Sequence, residues 1–395
     1  MKADTAITKP RAYIAAADIL RVICIFLVAW YHIWQQSWLN PGFRIGNTYV
    51  NLQQFVRNGY IMVDVLLVLS GFLLALPYAR ARLGLGERPT AKEFYVNRFW
   101  RIVPSYVLAV LLCLFLWALP QGVYASAGAM VKDLVTHLTF THNFSVDTYH
   151  NTKLLVVLWT VAVEVQFYIL FPLIVVFYEE RPGLTCLVMT LLAVCVRVWV
   201  YSLPSSLLWV NQLPCMLDLF ACGMAAAWIY TRLSEKDLRP GVRRALALAA
   251  LLALLFMFQI QYSQNISTQE AIRHSQLFWR LPLGLLAGIF LVCGALAPAR
   301  LGRALGNPIT RFLAAISYNF YIWHQFIALR LKDWHIPPYV SELPNQAAEQ
   351  PWQTRYTLLC FLAAVAVGAA FTYLWEKPVA RRAAKKKTPA KNAPL

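Results

Sequence analysis

The sequence predicts an all-α polytopic membrane protein with about ten transmembrane helices and both termini cytoplasmic. Three observations predict it. The 395 residues are 59% hydrophobic and 14% charged with a mean hydropathy of +0.52, far more apolar than a soluble globule. Apolar segments long enough to cross a bilayer recur along the whole chain. Most of the 36 Lys and Arg residues fall in the connections that a cytoplasmic N-terminus places inside, as the positive-inside rule requires. This placement also explains the net charge of +18 without a nucleic-acid partner.

The segments follow in order, and inner basic residues mark their cytoplasmic ends. Span 13–36 follows Lys2, Lys9 and Arg11, and span 60–79 runs into Arg80 and Arg82. Span 102–119 begins after Arg98 and Arg101, while spans 154–178 and 184–203 are separated by Arg181. Span 212–231 stops at Arg232, and span 245–262 starts after Arg243 and Arg244. Span 281–297 precedes Arg300 and Arg303, span 312–331 follows Arg311, and span 356–375 ends before Lys377. Around these spans, residues 1–12 read as a cytoplasmic leader, 13–378 as one membrane domain and 379–395 as a basic, disordered cytoplasmic tail drawn to anionic lipid. No cleavable signal peptide, soluble domain or internal repeat is evident. The longest outer loop, 120–153, carries His137, His142, Asp147 and His150. The eight cysteines lie in or at spans without a CxxC pair, so neither a metal site nor a disulfide frame is expected.

Ionisable residues inside apolar segments are costly, which makes them the candidate chemistry. Arg21 and His32 in the first span are eleven residues apart. At about 100° per residue they share one helix face, roughly 16 Å apart along its axis. Asp64 in the second span lies at a depth similar to His32 and is a candidate orienting partner for it, or alternatively an interfacial helix cap. Arg98 and Arg101, one turn apart at the cytoplasmic start of the third span, can clamp phosphates or act as ordinary anchors and lipid-headgroup ligands. Glu164 is a carboxylate buried in the fourth span, with Tyr168 on the same face. Arg197 reads as the structural partner of some carboxylate. His324 stands among apolar residues of the ninth span, where a hydrogen-bonded core histidine is the plainer reading.

Taken in order, these segments resemble the integral-membrane acyltransferase family three, which includes O-acetyltransferases of surface polysaccharides. The resemblance covers about residues 11–380. It rests on Asp18-x-x-Arg21 with His32, Val63-Asp64 leading to Ser70-Gly71-Phe72, and Phe94-Tyr95 before Arg98-x-x-Arg101. Further matches are Trp159-Thr160 with Glu164-x-Gln166-Phe167-Tyr168, Ser317-Tyr318-x-x-Tyr321-x-Trp323-His324, and Glu376-Lys377-Pro378. Met62, Val22 and Phe326 depart from the usual residues, which bears on acceptor choice and helix packing more than on the reaction.

The resemblance implies transfer of an acyl group, acetyl by default, from cytoplasmic acyl-CoA to a hydroxyl of a carbohydrate or glycolipid acceptor in the cell envelope. The setting would be a bacterial cytoplasmic membrane, with no metal. Family members need the arginine and histidine that correspond to Arg21 and His32, and the pair corresponding to Arg98 and Arg101 is implicated too. The expected division of labour has Arg21, Arg98 and Arg101 on the CoA phosphates and His32 as general base. Asp64 or Glu164 would orient or balance His32, and Ser70, Tyr168 or Tyr321 would steady the oxyanion. Asp18 and His324 belong to the same motifs as supporting residues. The appended extracytoplasmic esterase-like domain of some members is not seen, so either the membrane domain completes the transfer or a separate extracytoplasmic acyl-transfer partner does. The rival reading is a transporter or flippase using the same residues as a relay.

Overall fold

The computed structural model describes residues 13–203, 206–264 and 268–385. The leader 1–12 and residues 386–395 lie outside the described residues. The principal helices are α1 (Ala15–Ser37), α2 (Met62–Arg82), α3 (Ala91–Cys113), α4 (Ala127–Leu138), α5 (Trp159–Glu180), α6 (Pro182–Tyr201) and α7 (Leu217–Ser234). They are followed by α8 (Pro240–Ser263), α9 (Gln269–Phe278), α10 (Arg280–Leu296), α11 (Pro308–Asp333), α12 (Trp352–Phe371) and α13 (Lys377–Lys385). The β-structure described is one antiparallel hairpin, β1 (Gly42–Ile45) with β2 (Thr48–Asn51), in register Gly42 to Asn51. An all-α polytopic membrane protein is therefore what the chain builds.

Each of the ten apolar segments falls on a helix. Among the described residues, eight helices are long and apolar enough to cross a membrane, or nine if α9 and α10, bent by 47°, form one span. The segment 312–331 lies in α11, which falls short on composition because Ser317, Tyr318, Asn319, His324 and Gln325 dilute its apolar residues. The stretch read as a tail from residue 379 begins as helix, since α13 continues to Lys385.

The chain divides into two compact units. Unit 1 comprises Met1–Phe26, Asn58–Thr90 and Ile169–Ala314. Its centre is the pairing of α2 with α7, and α7 packs in turn on α6 and α10. The approach is backbone to backbone. A Cβ placed on Gly71 would fall 2.3 Å from the Phe220 carbonyl oxygen, and one on Gly223 would fall 2.0 Å from that of Val68. Membrane helices have little hydrophobic drive to associate with each other, so small residues that admit close van der Waals contact hold them instead. Tyr178 adds a hydrogen bond, its hydroxyl donating to the Met224 carbonyl at 2.8 Å.

Unit 2 comprises Leu27–Arg57, Ala91–Tyr168 and Ala315–Leu395. Ile33 of α1, Ala328 of α11 and Trp352, Tyr356 and Cys360 of α12 form one apolar cluster, and the buried Tyr356 hydroxyl donates to the Ala328 carbonyl at 2.5 Å. Two π-helical turns, Leu114–Ala118 and Thr372–Glu376, follow α3 and α12.

The connection 120–153 is folded over a buried carboxylate. Ser126 caps α4 by accepting from the Ala129 amide. Asp133 then accepts from the Tyr124 hydroxyl, the Thr152 hydroxyl and the Lys153 amide, and lies 3.2 Å from Nδ1 of His137. Burial alone would raise the Asp133 carboxyl, but the His137 contact together with these donors holds it below its ordinary range. The His137 and His142 rings stack at 4.0 Å, both fully buried. Burial first, and then the neighbouring His137, pushes His142 down to about 2.

Two expectations follow from this packing. Gly223→Ala is expected to destabilise the detergent-solubilised protein by roughly 1–3 kcal/mol through overpacking, seen as a lowered thermal midpoint; an unchanged midpoint would contradict the close contact. For the 120–153 segment, the unfolded state takes up a proton at His142 below about pH 6.5, whereas the folded state holds the ring neutral down to about 2. Stability present above pH 6.5 is thus lost as pH falls, by at most about 1.4 kcal/mol per pH unit. Asp133 adds a further loss as pH drops below the ordinary carboxylate range toward its lowered folded value. Melting midpoints at pH 7 and pH 5 should differ less in His142→Phe than in the parent.

Candidate active site

In unit 2 the candidate residues come from four helices. α1 supplies His32, which is half-buried, and α11 supplies Tyr321 and the fully buried His324. The rings of His32 and His324 meet directly, with Nδ1 of His32 2.9 Å from Nε2 of His324 and centroids 5.0 Å apart. Behind them, Nδ1 of His324 lies 2.7 Å from the Tyr321 carbonyl oxygen, and the Phe320 ring stacks on His324. The Tyr321 hydroxyl is shared with the Thr160 hydroxyl at 2.8 Å and the Val157 carbonyl at 3.2 Å.

α5 carries the next group. Tyr168 donates a short hydrogen bond to Glu164, one helical turn earlier, and Glu164 lies within electrostatic reach of Tyr318 and Tyr321. Over the Tyr168 ring, 5.6 Å from its centroid, sits the Arg98 guanidinium of α3, which also lies 5.9 Å from the Phe94 ring. Arg98 is half-buried and Arg101 exposed. Arg101 also acts on Glu376, the last residue of the second π-turn, whose carboxylate accepts from Asn319 Nδ2 at 2.6 Å. A guanidinium stacked on an aromatic face keeps its outer N–H groups for an anion, and the pair suits a phosphate by charge and geometry.

Unit 1 holds the remaining candidates. Arg21 pairs with Asp18 at 3.3 Å on the first turns of α1, and both are half-buried. Asp64, at the start of α2, forms a buried ion pair with Arg280 at 3.2 Å. Arg280 also donates to the Val210 carbonyl and, at 2.6 Å, to Asn211 Oδ1. The carboxylate that Arg197 serves is Asp218, gripped by two hydrogen bonds of 2.7 Å. Ser70 is half-buried on α2, next to the Gly71 contact. Among the described residues no group of three or more His, Cys, Asp or Glu side chains is placed to hold a metal ion.

Comparison with known proteins gives a family. The family described as "Acyltransferase domain" matches residues 14–375, nearly the whole chain. The chain belongs to this acyltransferase family. Among its relatives, YrhL of Bacillus subtilis (strain 168) is 26% identical over 336 residues, which cover 80% of this chain and 49% of that protein. Peptidoglycan O-acetyltransferase OatA of Listeria monocytogenes serovar 1/2a is 24% identical over 332 residues, 80% of this chain and 49% of the relative. O-acetyltransferase OatA of Staphylococcus aureus (strain NCTC 8325 / PS 47) is 22% identical over 350 residues, 83% of this chain and 53% of the relative. The chain spans about half the length of these curated relatives. No solved structure matches it. The protein is a multi-pass membrane protein.

Within the family frame, the structure gathers His32, His324, Tyr321, Glu164, Tyr168, Arg98 and Arg101 in one unit, and places Arg21, Asp18, Asp64 and Ser70 in the other. Sequence reasoning offered Asp64 and Glu164 as partners for His32, whereas the side chain hydrogen-bonded to its Nδ1 is His324. Arg280 and Asn319 carried no functional reading at all. The signal for Arg280 is that a lone arginine at the mouth of an apolar run needs a buried carboxylate.

The Asp64–Arg280 pair yields a direct expectation. Removing one partner, as in Asp64→Leu or Arg280→Leu, should cost about 3–5 kcal/mol by stranding a buried charge, while the double replacement costs much less. Thermal midpoints of the four proteins in detergent check this; additive losses would mean the two side chains do not act as a pair.

Proposed function

We propose that the protein is a membrane O-acyltransferase that moves an acyl group, acetyl by default, from cytoplasmic acyl-CoA to a hydroxyl of an envelope carbohydrate or glycolipid. The observation that carries this reading is a partly buried histidine, His32, backed by a fully buried one and set in a membrane helix of an acyltransferase-family chain. The relatives named O-acetyltransferases support acetyl as the group and a glycan as the acceptor.

In this mechanism Arg98 and Arg101 hold phosphates of the donor, with Tyr168 and Glu164 fixing the Arg98 side chain. His32 takes the proton from the acceptor hydroxyl as its oxygen attacks the thioester carbonyl carbon. The tetrahedral intermediate then collapses, the carbon–sulfur bond breaks, and the proton on His32 passes to the departing CoA thiolate. The products are the O-acyl acceptor and free CoA, and His32 returns to its starting state. Arg21, a further candidate by motif, is paired with Asp18. Asp64 is held by Arg280 and Tyr321 by Thr160 and Val157, and Tyr168, beside Arg98, is the candidate for steadying the oxyanion. A transfer partner outside the membrane is compatible with the relatives' greater length.

The test is CoA release and label transfer from radiolabelled acetyl-CoA to crude envelope glycans by detergent-purified protein. His32→Ala should lose transfer by roughly 10²–10⁴-fold, the usual worth of a general base. Arg98→Ala should raise KM for acyl-CoA about 10-fold or more, as expected for a lost charge-assisted contact. Intact thioester with a competent acceptor present would refute acyl transfer and favour a transport relay.

A further inference from the structure

We propose that His324 is a positioning residue that fixes which nitrogen of His32 is the base. The inference rests on the acyltransferase reading for its purpose, although the geometry behind it stands alone.

Nδ1 of His324 faces the Tyr321 carbonyl oxygen at 2.7 Å. A carbonyl oxygen accepts and never donates, so the proton must reside on Nδ1. A neutral imidazole carries one N–H, which leaves Nε2 of His324 as a lone pair. That lone pair faces Nδ1 of His32 at 2.9 Å. Two ring nitrogens at this separation need one proton between them, and His32 has to supply it. His32 is therefore held as the Nδ1–H tautomer, and its Nε2 is left bare.

Exposure assigns the direction. His324 is 0% exposed whereas His32 keeps some exposed surface, so of the two residues His32 is the one a substrate can approach. The logic parallels that of the Ser-His-Asp triad, in which a third group holds the histidine in its working tautomer. Here the third group is a neutral ring, itself fixed by a carbonyl of its own helix. That carbonyl is available because Tyr321 lies only three residues before His324, on the same face of α11. The Phe320 ring, stacked on His324, and the Tyr321 ring, 5.4 Å away, keep the imidazole from turning over.

Two replacements of similar size separate a polar role from a packing role. His324→Leu removes the acceptor, and His324→Gln can present its Oε1 to the His32 N–H. His324→Leu is expected to lower kcat roughly 10²-fold or more with KM for acyl-CoA nearly unchanged, and His324→Gln to recover most of that loss. Equal losses in both variants, or none in either, would overturn the proposal. The second measurement needs no turnover. In detergent-solubilised protein labelled with ¹⁵N-histidine, with signals assigned by their loss in His32→Asn, His32 Nε2 should show the shift of an unprotonated nitrogen and Nδ1 that of a protonated one. A protonated Nε2 in the parent protein would overturn the assignment. If the tautomer is as stated but His32→Ala still transfers acetyl, the catalytic reading fails and the positioning geometry survives.

Discussion

An ionised or strongly polar side chain placed inside an apolar helix must find its partner inside the protein, because no water is there to serve it. This constraint explains where unit 1 spends its charges. Asp64 meets Arg280, and Arg197 meets Asp218, each pair almost wholly withdrawn from solvent. The Arg197 guanidinium is further bound to the Cys215 carbonyl, and that of Arg280 to the Val210 carbonyl and Asn211. Such closed pairs are expensive to break and add little compared with apolar packing, so they specify how helices meet more than how strongly.

Unit 2 obeys the same rule with a different outcome. Its polar groups are also partnered, yet several keep an accessible side: His32 and Glu164 are half-buried, Arg98 likewise, and Arg101 is exposed. Their partners are neutral or aromatic more often than oppositely charged, as with His324 for His32 and Tyr168 for Arg98. A guanidinium backed by a ring retains its charge for an incoming anion, and an imidazole backed by an imidazole retains a free nitrogen. These are the properties that the proposed site requires, whereas the pairs of unit 1 are spent on each other.

α11 is rich in polar residues and also carries two of the candidate site residues. α11 carries Tyr318, whose hydroxyl donates to the Ile102 carbonyl, Asn319, which binds Glu376 and Thr372, and then Tyr321 and His324. Its composition falls short of an ordinary membrane span for that reason. The π-turn Thr372–Glu376 is the feature that brings both of Asn319's partners to one short stretch of chain. π-Turns inserted in helices often mark functional positions, and this one lies at the end of the last long apolar helix.

Much of this was legible in the sequence, because hydropathy, flanking charge and motif spacing are local quantities. The ten apolar segments that became helices follow from composition alone, as does the shared face of Arg21 and His32 on one continuous helix. The motif residues His32, Arg98, Arg101, Glu164 and Tyr168 stood out because ionisable and aromatic groups in such surroundings demand a reason. What the sequence could not decide was who partners whom. His32 and His324 lie 292 residues apart, and Asp64 and Arg280 lie 216 apart, so no spacing rule connects them. Several carboxylates could equally have served His32 or Arg280 by type and depth. Only the packing of helices distant in sequence selects among them, since a hydrogen bond or ion pair is decided over about 3 Å and helix depth fixes a residue's position far more coarsely.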